Sequence, residues 1–72
     1  MLRFVTRKEN GQKFVHEYYD SDILGFVYDD SDDCAEDDEP VIEASIDGVE
    51  IDLREENIHD VNDLRTYCYY LE

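Results

Sequence analysis

Positive charge is what this sequence has least of. Six Lys and Arg stand against 21 Asp and Glu in 72 residues, for a formal charge of −15. A protein gains affinity for a phosphate polyanion by releasing counterions to its Lys and Arg. Unaided nucleic-acid binding is therefore excluded, and an anionic membrane surface is disfavoured on the same ground. Cysteine is also scarce: Cys34 and Cys68 fall short of the about four to eight of a small disulfide scaffold, so both read as free thiols. No apolar run approaches the roughly 20 residues of a membrane span. The opening stretch MLRFVTRKENGQKF lacks the apolar centre of a secretory signal. These absences predict a soluble, cytoplasmic protein.

What is present argues for a folded chain. Apolar residues make up 42% of the sequence and include six Tyr and three Phe, more than an acidic disordered segment carries. The length allows one small core worth about 3–5 kcal/mol, so residues 1–72 are expected to form a single domain. Charge is polarised along it. Residues 1–16 carry +3 and residues 17–72 carry −18, an asymmetry that matters for docking unless the basic strands neutralise acidic neighbours within the fold.

Residues 2–8 and 12–19 are β-rich runs flanking Asn10-Gly11, a dipeptide suited to a two-residue type I′ turn. With Glu9 opposite Gln12, one face of this hairpin collects Leu2, Phe4, Val15 and Tyr19, and the other Val5, Phe14 and Tyr18 with Arg3, Arg7 and His16. A register one residue away exchanges the faces. Ile23–Tyr28 reads as a third strand or a buried connector, with Gly25 weakening the strand reading. Residues 29–39 then place eight acids in eleven positions before Pro40; residues 29–40 are predicted to be an acidic, solvated loop.

The clearest local signal is a second hairpin, Val41–Ile46 and Val49–Leu53 around Asp47-Gly48. It opposes Ile46 to Val49, Ala44 to Ile51 and Ile42 to Leu53 on an apolar face, and Ser45 to Glu50 and Glu43 to Asp52 on the other. Directly opposed like charges destabilise a strand pair, so those acids point to a role outside the fold. Beyond it, Ile58, Val61, Leu64, Cys68 and Leu71 recur at spacings of three and four, predicting a helix over 58–71 with Asp60 or Asn57 at its start and Asp63 completing a capping-box variant. Tyr67, Tyr69 and Tyr70 lie beside or off that stripe. The expected fold is a small α+β domain, an antiparallel sheet of four to five strands covered by one C-terminal helix.

Calcium and catalysis fit poorly. A calcium-binding helix–loop–helix frame needs Gly at its sixth position and Glu at its twelfth. Starting at Asp32 gives Asp37 and Glu43, and starting at Asp20 gives Gly25 and Ser31, so no dedicated metal site or cofactor is expected. His16 and His59 are not spaced as a metal pair. Acids flanking Cys34 disfavour the thiolate a nucleophile requires, and a core this small offers little desolvated pocket for paired carboxylates, so no enzyme is expected.

The acidity itself has geometry. Acids at alternate strand positions such as Glu50 and Asp52 sit about 6.6–6.8 Å apart, and the extended acidic loop places a charge every ~4.5 Å. One DNA strand carries a phosphate per ~3.4 Å of axis. A groove that binds a phosphate backbone through Lys and Arg would meet comparable charge density here. The expected partner-binding set is Asp29, Asp30, Asp32, Asp33, Glu36, Asp37, Asp38 and Glu39 of the loop, Glu43, Glu50 and Asp52 of the hairpin, and Tyr69 and Tyr70 as added contact area.

Small size, a charge of −15, α+β character and acidic runs together resemble the small DNA-mimic inhibitors of bacteriophages, of the anti-CRISPR and anti-restriction type. The resemblance implies a stoichiometric inhibitor that blocks the DNA site of a nuclease or defence complex, foremost a CRISPR effector, in the cytoplasm of an infected bacterium. The alternative is an acidic regulatory module that binds a basic protein without competing with nucleic acid. Either way the expected partner is a basic protein, with no direct contact to nucleic acid or membrane, and repulsion between two such charged bodies favours a monomer over a homodimer.

Overall fold

In a computed structural model the described residues are 1–28 and 36–71. They form an α+β fold of six principal elements: strands β1 (Leu2–Arg7) and β2 (Lys13–Tyr18), a short helix α1 (Ile23–Val27) entered through a 3-10 turn at Asp20–Asp22, strands β3 (Val41–Ile46) and β4 (Val49–Glu50), and helix α2 (Val61–Leu71). The four strands make one antiparallel sheet in the order β2-β1-β3-β4. One face packs against the helices and the other is open. Among the described residues, no helix is long and apolar enough to cross a membrane.

The first hairpin takes the alternative register. Leu2 pairs with Tyr18 and Phe4 with His16, because the turn is a three-residue loop, Glu9-Asn10-Gly11, rather than Asn10-Gly11 alone. The Gly11 N–H donates to the Lys8 carbonyl (2.9 Å) and the Lys8 N–H to the Gln12 carbonyl (2.8 Å), while Asn10 Oδ1 accepts from the Gln12 N–H (2.9 Å). Gly11 sits at φ +86°, the left-handed position such a loop reserves for glycine. Leu2, Phe4, Thr6, His16 and Tyr18 therefore share the inner face. Phe4, fully buried, stacks on His16 and Tyr18 and meets Phe26 at 5.3 Å between ring centres. Val5 and Val15 go to the open face with Arg3, Arg7, Lys13 and Glu17.

The stretch expected as a third strand or buried connector is a helix. Ile23, Phe26 and Val27 fall on one side at helical spacing, and Phe26 and Val27 are buried; a strand would have turned Phe26 away from Val27. The second hairpin keeps its predicted turn and its first pairs, Ile46 with Val49 and Ser45 with Glu50, but departs at both ends. A bulge shifts β3 against β1 between Val5 and Thr6, so that Val41 and not Ile42 enters the core. After the Ile51 N–H bonds the Ala44 carbonyl (2.9 Å), Asp52 turns the chain: its Oδ1 accepts from the Arg54 and Glu55 N–H groups, both at 3.1 Å. The expected Glu43–Asp52 and Ile42–Leu53 pairs do not form, and the like-charge opposition is avoided.

Helix α2 begins at Val61, three residues later than predicted, with Asp60 as the cap: its Oδ1 accepts from the Asp63 N–H (2.8 Å), and Asp63 Oδ2 accepts from the His59 N–H (3.0 Å). Val61, Leu64 and Cys68 are buried together with Ile58, whereas Leu71 at the last turn is exposed. Residues 36–40 are stitched to the same helix start. The Val61 N–H donates to the Glu39 carbonyl and the Asn62 N–H to the Asp37 carbonyl, each at 3.1 Å, satisfying donors that a helix leaves unpaired. Arg65 is buried on α2, where its Nε donates to the Phe26 carbonyl (2.8 Å), its guanidinium pairs with Asp37, and its plane lies over the Phe26 ring.

Candidate protein-interaction surface

Sixteen acids lie in the described residues, and thirteen of them are exposed. Five of the six cations are exposed as well, so acids outnumber cations on the described surface by thirteen to five. Arg65 is buried, Lys8 lies 3.7 Å from Glu39, Arg3, Arg7 and Lys13 stand on the open face of the first hairpin, and Arg54 is exposed in the turn after β4. Among the described residues, Lys8–Glu39 and Arg65–Asp37 are the ion pairs between side chains. The α-amino group at Met1 occupies two more carboxylates, Asp20 at 2.7 Å and Asp47 at 2.5 Å. The basic strands thus leave the acidic excess largely uncompensated.

The predicted site residues divide into two groups. Glu43, Glu50 and Asp52 line one depression with Arg54 between β3 and the turn after β4. Glu43 and Glu50 are diagonal neighbours across that strand pair, a relation that spaces the two residues about 7–8 Å apart. The second group, Glu36, Asp38 and Glu39, borders Arg7, Lys8 and Glu9 at the tip of the first hairpin. Two of the loop acids serve the fold: Asp37 holds Arg65, and Glu39, its side chain mostly covered, lies beside Lys8. Asp52 spends one carboxylate oxygen on its own turn. Asp29, Asp30, Asp32, Asp33 and Cys34 lie outside the described residues. The structure does not bring Glu36–Glu39 into one depression with Glu43, Glu50 and Asp52.

Tyr69 and Tyr70 are exposed at the end of α2 and join Tyr28 in a chain of edge-on rings, 6.2 Å from Tyr28 to Tyr69 and 5.5 Å from Tyr69 to Tyr70. Tyr28 was not picked out by sequence reasoning, since only the α1–α2 packing brings it there. Glu56, Val49 and Leu71 were also missed; they meet Tyr67 in a groove at the β4 edge. In sequence these residues carry no shared period.

His16 is half-buried on the inner face. Its ring stacks on Phe4 at 4.8 Å, and Nε2 lies 3.0 Å from Thr6 Oγ1. Burial lowers its pKa below the usual histidine value, with Lys8 adding to that and Glu39 opposing it. This is a packed histidine within the core margin. Among the described residues, no group of three or more His, Cys, Asp or Glu is arranged to hold a metal ion.

No protein-family model matches the chain, and neither a curated protein nor a solved structure is significantly similar to it.

Proposed function

We propose that this protein acts by binding a basic partner, occupying by charge a groove in which that partner holds nucleic acid. The observation that carries the reading is the excess of acid on the surface: thirteen of the sixteen described acids are exposed, against five exposed Lys and Arg, of which Arg3, Arg7 and Lys13 stand together on one face of the first hairpin. A net charge of about 2–8 in magnitude suffices to keep a small domain soluble, and −15 exceeds it. Glu43 and Glu50, projecting from paired strands, offer fixed spacing, and Glu36 and Asp38 add charge at the hairpin tip. Opposite surface potentials speed encounter and make it salt-sensitive. The class of target that the resemblance suggests is a nuclease or a CRISPR effector, whose own contacts to the duplex beside the target sequence are basic.

A second reading, binding without competition, is favoured by a different observation: the exposed apolar and aromatic groups at the end of α2, which phosphate mimicry does not require.

The two separate in one experiment. The protein is immobilised, its partner recovered from bacterial extract, and the partner's labelled duplex DNA or RNA titrated with free protein. The mimicry reading expects displacement at saturation, weakening steeply with salt and reduced by the pair Glu43→Lys and Glu50→Lys. Nucleic acid that stays fully bound at saturating protein contradicts it and leaves the second reading.

A further inference from the structure

Charge mimicry leaves one feature unused, a groove of about 360 Å³ between β4 and α2. Val49, Tyr67 and Leu71 give it an apolar side, and Glu50, Asp52 and Glu56 an acidic one. No Lys or Arg lines it. Val49 is 71% exposed and Leu71 58%, so two aliphatic side chains of this chain stand in water beside three carboxylates.

We infer that this groove receives an extended segment of a basic partner in which apolar residues alternate with Lys or Arg; the inference rests on the basic-partner reading above. The sheet geometry selects that pattern. β4 is the outermost strand on this side. Its pairing of Val49 with Ile46, and the bond from the Ile51 N–H to the Ala44 carbonyl, leave the backbone N–H and C=O of Glu50 directed away from β3, by the alternation of an antiparallel ladder. An extended segment laid along that edge gains those bonds. Its successive side chains then point to opposite faces. One set falls toward Val49, Tyr67 and Leu71, and the other toward Glu50 and Asp52 on the open face. The first set is therefore apolar and the second cationic. A second copy of this chain is a poor occupant, because each copy carries −15 and the approach is repulsive.

The test uses two synthetic probes, an octapeptide of alternating Leu and Lys and an octalysine of higher charge, titrated into the full chain at physiological salt and followed by amide chemical shifts. The expected result is binding of the Leu/Lys peptide about tenfold tighter than octalysine, with the largest shifts at residues 49–52 and 67–71. The double variant Val49→Ser and Leu71→Ser, both at exposed positions, should bring the two affinities together, and Glu56→Lys should weaken the Leu/Lys peptide separately. Equal affinities for the two probes overturn the inference, as do shifts centred away from β4 and α2. A doubled mass of the free protein, lost on Val49→Ser, overturns it in favour of a second copy. Failure here is distinguishable from failure of charge mimicry: a peptide that binds while nucleic acid stays on the partner leaves the groove standing, and the reverse leaves the mimicry standing.

Discussion

The first hairpin pairs six residues from each strand, whereas the second pairs two, although both have a favoured turn dipeptide and the second has the more apolar strands. The difference lies on the open face. In the first hairpin Arg3 opposes Glu17, and of the like pair Arg7 and Lys13, Arg7 lines a depression with Glu9, Glu36, Asp38 and Glu39. One of its opposed cations thus has acids around it. Continuing the second hairpin would oppose Glu43 to Asp52 in a chain of charge −15, with Arg54 the one cation lining that depression. There the ladder stops, and Asp52 accepts backbone N–H groups instead. In this molecule paired cations are tolerated and paired carboxylates end a strand.

The most severe way to break the comparison is to remove what both hairpins share. Phe4 lies on β1 between β2 and β3, is fully buried, and touches the rings of His16, Tyr18 and Phe26. Phe4→Ala is expected to cost about 3–5 kcal/mol, comparable to the whole stability of a domain this small. Urea denaturation should find the variant largely unfolded at neutral pH. A cooperative transition close to that of the parent would show that the hairpins do not depend on a common core.

The turns sharpen the comparison at a smaller scale. Gly11 and Gly48 both lie at positive φ, +86° and +82°, where a side chain costs about 1–2 kcal/mol. Gly11→Ala and Gly48→Ala should lose similar stability, yet differ in what opens locally. With two residue pairs behind it, β4 should release on Gly48→Ala, seen as faster hydrogen exchange of the Ile51 amide, while the six-pair first hairpin keeps its protection. Equal exchange at Ile51 in the two variants would mean that β4 is held by α2 rather than by its turn.

The same physical distinction decides how much was legible in the sequence. The α+β class, the Asp47-Gly48 turn and the Asp60 cap are local features, written in neighbouring residues, and each is present. The register of the first hairpin was ambiguous because Asn10-Gly11 serves two- and three-residue loops alike, and packing of Tyr18 against Phe4 and Phe26 selects between faces of β2. Five residues of α1 are too few to show a period. The bulge at Ile42 depends on the partner strand β1. Of the candidate surface, the density of acids was visible, but the internal duties of Asp37 and Glu39 depend on Arg65 and Lys8, which only the folded chain brings near. The groove at Val49 and Leu71 joins residues from opposite ends of the second half, with no spacing to announce it.

The smallest effect separates the hairpins by pH. His16 belongs to the first, stacked on Phe4 and beside the hydroxyl of buried Thr6, and burial depresses its pKa, reinforced by Lys8 and opposed by Glu39. The unfolded chain takes up that proton near pH 6.5 and the folded chain only at lower pH. The contribution of neutral His16 is therefore present above about pH 6.5, declines as pH falls through that value, and is fully lost below the depressed folded pKa. Carboxylate protonation, which relieves self-repulsion, begins lower, near about pH 5. Urea midpoints of the parent and His16→Gln, taken from about pH 7.5 to 5.5, should converge as the parent loses stability and the variant does not; His59 is common to both and cancels. Parallel curves would place His16 in water in solution and detach it from the face that Phe4 and Thr6 define.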